Sequence, residues 1–244
     1  MHRRPRSEIA LFAVIALGLV GMCGLLGLLA TLGETNAAKK GQRRNGEPVE
    51  ITGQVPASLL LGPADAPTRG APKARFTLVE FGDFECRSCA RAQPALRDLL
   101  QRRRSDLRLV FRHCPLIDLH PAALAAARLA EAARRQNRFW EIHDALYKQQ
   151  ATWPTARDVN AALHGVAASG GLDPKVLPAD LHAARSSASG GDLDRRIEAD
   201  MEAAGDASVN STPAFFLITP TRRVWAAVGP VGLQHLRDGE KYWR

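Results

Sequence analysis

Hydrophobic residues are distributed along this chain in three regimes. The first is an uncharged, largely apolar run from Ile9 to Leu32. As an α-helix rising 1.5 Å per residue it would be about 36 Å long, enough to cross a bilayer core of about 30 Å with some tilt. The pattern therefore predicts a transmembrane or signal-anchor segment over residues 1–32. A cleaved signal peptide is the alternative, but its apolar region is usually shorter and ends in a small-x-small site, which Thr35-Asn36-Ala37 matches poorly. Arg3, Arg4 and Arg6 precede the run, and Lys39, Lys40, Arg43 and Arg44 follow it, so charge counting does not orient it. Apolar residues almost vanish in the second regime, which predicts a flexible linker over residues 33–47.

The third regime, residues 48–244, reads as one α/β domain. Pro56, Pro63, Pro67 and Pro72 interrupt the stretch from Pro48 to Ala74, which predicts one short strand in irregular structure. Phe76 to Phe81 is apolar on both faces, as a buried central strand is. From Cys86 to Arg104 the residues Ala92, Leu96, Leu99 and Leu100 share one helical face, with Pro94 as an expected kink. Leu107, Leu109 and Phe111 then alternate as a second strand, completing a βαβ unit with parallel strands. From about 120 to 205 the pattern is helical, broken at Trp153-Pro154, Gly170-Gly171, Pro178 and Gly190-Gly191. Phe139, Trp140 and Leu146 have the spacing of a core stripe there. Ala214 to Ile218 and Arg223 to Val228 resume the sheet as a hairpin around Thr219-Pro220, and a short helix over Val231 to Asp238 closes the chain.

The charge balance adds little to this picture. Lys and Arg total 33 against 25 Asp and Glu, a net charge of +8, but the basic residues are dispersed and only 6% of residues are aromatic. That fits a soluble coat better than a nucleic-acid surface. Arg102 to Arg104 and Arg134-Arg135 fall at predicted helix ends, where cations suit the helix dipole. No nucleotide or flavin signature is present.

The four cysteines change the picture more. Cys23 lies inside the apolar run and reads as an inert apolar side chain. Cys86 and Cys89 form a Cys-x-x-Cys at the start of a helix that follows a buried strand. Free backbone N–H groups and the positive helix end favour an anion there, so Cys86 should be the thiolate, with the Arg87 cation beside it. Cys89, one turn on and facing inward, is placed to resolve a mixed disulfide on Cys86. The alternatives are a static disulfide or half of a zinc site. Zinc would need His113 and Cys114 as well, and neighbours on a strand point in opposite directions, so no metal is assigned.

Val79-Glu80-Phe81-Gly82-Asp83-Phe84-Glu85-Cys86-Arg87-Ser88-Cys89 resembles the active-site stretch of the DsbA-like branch of the thioredoxin superfamily. Phe111 to Leu116, His120-Pro121-Ala122, Phe139 to Leu146 and Ser211 to Phe216 extend the resemblance, in the family's order, over about residues 75–240. It implies a thioredoxin-like fold with an inserted helical subdomain, and disulfide exchange with exported, cysteine-containing proteins. It also implies that Pro213 is the family's cis-proline, which with Thr212 aligns the bound substrate chain, and that Glu80 is the buried acid beneath Cys89. An acid in that strand would be pushed up by burial and could take the Cys89 proton; an edge position reaching water is the alternative. Ser88 and His113 are further candidates for tuning the thiols, although His113 reads first as structural. Cys114 stands where the family often has an aromatic residue, either as a buried free thiol or as part of a regulatory disulfide.

The resulting expectation is a monomeric, membrane-tethered oxidase. Its working domain is extracytoplasmic, its only redox group is the Cys86-Cys89 disulfide, and a DsbB-like or VKOR-like membrane protein reoxidises it. A reductase of the same fold is the nearest alternative, since Arg87-Ser88 does not fix the direction, and a metal-binding or adaptor module is the next.

Overall fold

The computed structural model describes residues 46–173, 175, 177, 181 and 191–244. The expected membrane segment over 1–32, Cys23 and the linker as far as Asn45 lie outside the described residues. No helix among the described residues is long and apolar enough to cross a membrane.

A six-stranded sheet organises the domain, in the spatial order β1, β6, β5, β3, β4, β2. Its centre is β3 (Phe76–Gly82), all seven of whose residues are buried, as its apolar character on both faces requires. β3 runs parallel to β4 (Leu107–His113), and the connection is α2 (Arg87–Arg102), completing the expected βαβ unit. On its other side β3 pairs antiparallel with β5 (Ala214–Ile218), which forms a hairpin with β6 (Val224–Val228). The sheet edges are β1 (Val49–Glu50), antiparallel to β6, and β2 (Thr68–Gly70), antiparallel to β4.

The region before β3 departs from expectation. It holds two strands rather than one, together with a short helix α1 (Ala57–Leu61). Edge strands of two and three residues are too short for an alternating pattern, and their partners lie more than 35 residues away. α2 continues through Pro94 and ends at Arg102, two residues short of the expected end. The last helix, α7 (Gly229–Asp238), begins earlier than expected, with Pro230 in its first turn.

Alternation along β3 assigns its side chains to two cores. Leu78 packs with Leu96, Leu99, Leu233 and Leu236 under α2 and α7. Val79 and Phe81 face the other way, toward Leu60 of α1 and Ala203 and Ala204 of α6 (Gly191–Asp206). By the same period of two, Glu80 is on the Leu78 side, beneath α2.

The helical subdomain consists of α3 (Ala123–Arg135), α4 (Phe139–Lys148), α5 (Val159–Ser169) and α6. Alanines on most faces of α3 allow close approach, and ten of its residues are buried. Arg128 of α3 makes a two-pronged bond to Asp194 of α6, at 2.7 and 2.9 Å, and donates to the Leu181 carbonyl. Trp153-Pro154 forms a single 3-10 turn, and α5 ends at Gly170 as its glycines predict, whereas Pro178 and Gly190 lie outside the described residues.

Candidate active site

The end of β3 and the start of α2 converge on a turn built around Asp83. Its carboxylate accepts hydrogen bonds from the Glu85 and Leu116 backbone N–H groups, at 2.8 and 2.9 Å, and lies 2.7 Å from His120 Nδ1. This gathers the β3–α2 turn and the loop after β4 onto one buried side chain. Cys86 is the N-cap of α2 with extended backbone (φ −68°, ψ 115°), so its sulfur sits among unpaired helix N–H groups. Gln150 fixes the turn from the helical subdomain by donating to the carbonyls of Phe84 and Cys86, at 2.7 and 3.0 Å.

Opposite the turn, the loop entering β5 carries a cis Thr212-Pro213 bond. Because Ala214 pairs with Phe81 and Phe215 with Glu80, this loop is held next to the dithiol. Cys86 Sγ lies 3.3 Å from the Thr212 carbonyl oxygen.

The two thiols are in opposite electrostatic situations. Cys86 is lowered to about 5, chiefly by a hydrogen bond from Cys89, with the backbone N–H groups of Cys89 and Ser88 adding to the effect against a burial penalty. Cys89 is fully buried and raised well above the usual thiol value, first by burial and then by its bond to Cys86 and the nearby charges of Cys86 and Glu80. Glu80, 0% exposed, is raised to about 8 by burial, partly offset by a hydrogen bond from Gln93. Its Oε1 accepts from Gln93 Nε2 at 3.1 Å, while Oε2 is buried without a partner.

The structure thus brings Cys86, Cys89, Glu80, Thr212 and Pro213 together. Arg87 does not join them: its side chain is exposed, and the stabilisation of the Cys86 thiolate comes from Cys89 and helix N–H groups instead. Ser88 contributes through its backbone N–H, and its hydroxyl accepts a bond from Arg91. His113 is buried, bonded to Glu131 at 3.1 Å and set against Phe84 and Phe111. Cys114 belongs to the opposite core with Leu60, Val79 and Phe216, and burial pushes it up to about 11. Among the described residues no cluster of three or more His, Cys, Asp or Glu is arranged to hold a metal ion.

A family model described as thioredoxin (Thioredoxin_4) matches residues 64–219. The chain belongs to this thioredoxin family. Solved structures place it more narrowly. A thioredoxin-like oxidoreductase from Silicibacter pomeroyi is 26% identical, covering 77% of this chain and 96% of that one, with a TM-score of 0.60. DsbA2 of Pseudomonas aeruginosa is 28% identical over 69% of this chain and 88% of its own, with a TM-score of 0.53. The domain is DsbA-like within the thioredoxin superfamily. Its curated relatives include the Na(+)/H(+) antiporter NhaA 1 of Salinispora arenicola, 40% identical over 149 residues that make up 61% of this chain and 21% of that protein. The chain spans about a fifth of the length of the curated relatives it matches.

Three residues of this DsbA-like site carry no signal in a catalytic motif. Gln93 is four residues after Cys89, so it lies one turn further along the same face of α2 and over Glu80; that spacing could have identified it. Asp83 looks like an ordinary Gly-Asp turn residue, and its pairing with His120 spans 37 residues. Tyr147, on α4, reaches the Asp83 carbonyl at 3.4 Å, and only tertiary packing brings it there.

Proposed function

We propose that the protein forms disulfides in exported proteins by exchange through Cys86 and Cys89. The observation that carries this reading is the split between the thiols, one lowered to about 5 and the other raised well above its usual value. A low-pKa thiolate stabilises the reduced dithiol, so the corresponding disulfide is readily given up. In the forward reaction a substrate thiolate bonds to Cys86 Sγ and Cys89 leaves. A second substrate thiolate then displaces Cys86. Thr212 and Pro213, beside Cys86, align the substrate chain, and Glu80 supplies or takes the Cys89 proton. No cofactor beyond the dithiol is required.

The apolar run over 9–32 supports a membrane tether, with this domain on the extracytoplasmic side, where thiols are not held reduced. The curated relatives are named as antiporters, which supports a membrane setting for such a domain; their transport activity is not carried over to a match of one fifth of their length. A membrane redox protein of the DsbB-like or VKOR-like kind would reoxidise the dithiol. Trypsin treatment of intact spheroplasts tests the placement: the domain is digested if it is extracytoplasmic, and protection rejects it.

Equilibration with glutathione buffers tests the direction. The oxidase reading expects a potential well above the range of about −200 to −270 mV typical of glutaredoxins and thioredoxin. A value within or below that range makes the protein a reductase.

A further inference from the structure

The groove at the dithiol, about 750 Å³ in volume, is lined by a histidine that the exchange described above does not use. His120 lines it together with Cys86, Glu85 and Gln150. Its Nδ1 is held at 2.7 Å by Asp83, a carboxylate only 1% exposed and further fixed by two backbone N–H groups. The imidazole keeps about a quarter of its surface exposed, and Nε2 has no partner among the described residues. With an acceptor on Nδ1, the neutral ring carries its hydrogen there and presents the Nε2 lone pair. From these positions we infer that His120, oriented by Asp83, takes the proton from the incoming substrate thiol.

Resting on the proposed Cys86-Cys89 exchange, this supplies a step that the cysteines cannot perform. In the oxidised protein Cys86 is the atom attacked, and the attacker is a substrate thiol with an ordinary pKa of about 8.5, only a few per cent thiolate at neutral pH. Glu80 lies beneath the dithiol under α2, remote from the groove, while Arg87 and Arg91 on the groove are cations. Glu85 accepts a hydrogen bond from the Ala122 N–H with Oε2. Of the two bases lining the groove, His120 is the one whose ring is oriented by a buried carboxylate. As its Nε2 takes the thiol proton, the substrate sulfur bonds to Cys86 Sγ, the Cys86-Cys89 bond breaks, and its electron pair passes to Cys89, which is protonated by Glu80.

The charges around the ring suit this cycle. Burial disfavours the imidazolium, but Asp83, the Cys86 thiolate and Glu85 outweigh it and raise the histidine above its usual value in the reduced protein. The thiolate is absent from the disulfide form, so the neutral base is favoured when a proton must be taken. The imidazolium is favoured when Cys86 leaves as a thiolate.

The test compares two small thiols reacting with the oxidised full-length protein near neutral pH: an acidic aromatic thiol, already ionised, and an alkyl thiol of ordinary pKa. In His120→Asn the amide nitrogen can still bond to Asp83 while the base is removed. The alkyl thiol should lose about tenfold or more in rate, and the aromatic thiol should change by less than about twofold. His120→Gln removes the base with a different side chain and should show the same selectivity, which keeps the test available if one variant fails to fold. Equal losses with both thiols, or no loss with the alkyl thiol, overturn the inference and leave the Asp83–His120 contact a structural clasp. If the wild-type protein reacts with neither thiol, the exchange reading itself falls.

Discussion

Gln93 Nε2 bonds to Glu80 Oε1 at 3.1 Å and also lies 3.4 Å from the Cys89 carbonyl oxygen, so one amide ties the buried acid to the helix turn that carries the resolving thiol. The bond fixes one carboxylate oxygen and leaves Oε2 unpartnered in the core, which makes ionisation of Glu80 costly.

That cost appears as a pH dependence of stability. Glu80 rises from 4.5 to about 8 on folding, so the folded state holds a proton that the unfolded chain releases across this interval. Below pH 4.5 both states are protonated and there is no penalty; the penalty grows through the interval and levels off above about pH 8, on the order of 5 kcal/mol. Glu80→Gln removes it. In urea unfolding of the oxidised protein, where no Cys86 thiolate contributes, the stability of the variant relative to wild type should increase from pH 5 to pH 8. Parallel curves would mean that Glu80 is not buried as an acid. In the reverse direction, where reduced Cys86 attacks a disulfide and Cys89 must lose its proton to resolve the product, the same variant should release mixed disulfides slowly while the first attack stays nearly normal.

Cys89 has the opposite duty toward Cys86. Its thiol hydrogen bond is the largest influence lowering Cys86 to about 5. Cys89→Ala removes the donor but keeps the helix N–H groups, so the Cys86 titration should move up while staying below the ordinary thiol range. The pH dependence of alkylation by iodoacetamide reads this directly. An unchanged titration would assign the whole effect to the backbone. The sign for stability is also set: a thiol lowered on folding stabilises the reduced protein above the unfolded value near 9, and this contribution is lost as pH falls through about 5.

The βαβ unit, the β5–β6 hairpin and the helical subdomain were legible in the sequence because each is a long periodic run bounded by glycine or proline. The dithiol was legible because it sits within a single strand–turn–helix, and Glu80 was reached through the family resemblance of that same stretch. What could not be read depends on contacts between distant segments. β1 and β2 are defined by their partners, Ala226 and Val110 among them, and not by any pattern of their own. Arg87 was credited with tuning Cys86 from its position in sequence, but the residue after an N-cap points into solvent, and the work falls to Cys89 and to the backbone N–H groups at the start of the helix. His113 sits next to Cys114 in sequence but is drawn into an aromatic cluster by Glu131.

One such long-range contact predicts a large loss of stability. Asp200 of α6 accepts from Arg112 Nε at 2.6 Å and from the His113 N–H at 2.8 Å, while Arg112 also donates to the Leu59 and Leu60 carbonyls. Both side chains are about 3% exposed. Asp200→Ala leaves a buried guanidinium without its counter-ion and should cost about 3–5 kcal/mol. Replacing both partners, as Arg112→Leu with Asp200→Leu, should cost less than the sum of the single changes in a double-mutant cycle by chemical denaturation. Additive losses would show that the two side chains are not coupled.

The last prediction concerns Gly82, at the end of β3 and four residues before Cys86. Its backbone is ordinary, and the constraint on it is space. A Cβ there would lie 2.6 Å from Phe111 Cε2, 2.9 Å from Cζ and 3.1 Å from Tyr147 Oη. Phe111 cannot readily yield, because it is fully buried and stacked on Phe84 with ring centroids 5.3 Å apart. Gly82→Ala should therefore destabilise the domain by about 1–3 kcal/mol through overpacking. The displacement should also reach the site: Phe84 carries a carbonyl that Gln150 holds together with that of Cys86, so disulfide exchange should slow as well. Phe111→Leu removes the ring atoms that clash, and in the double variant it should restore part of both the stability and the rate. If the double variant is simply the sum of two losses, contact with Phe111 is not what reserves this position for glycine.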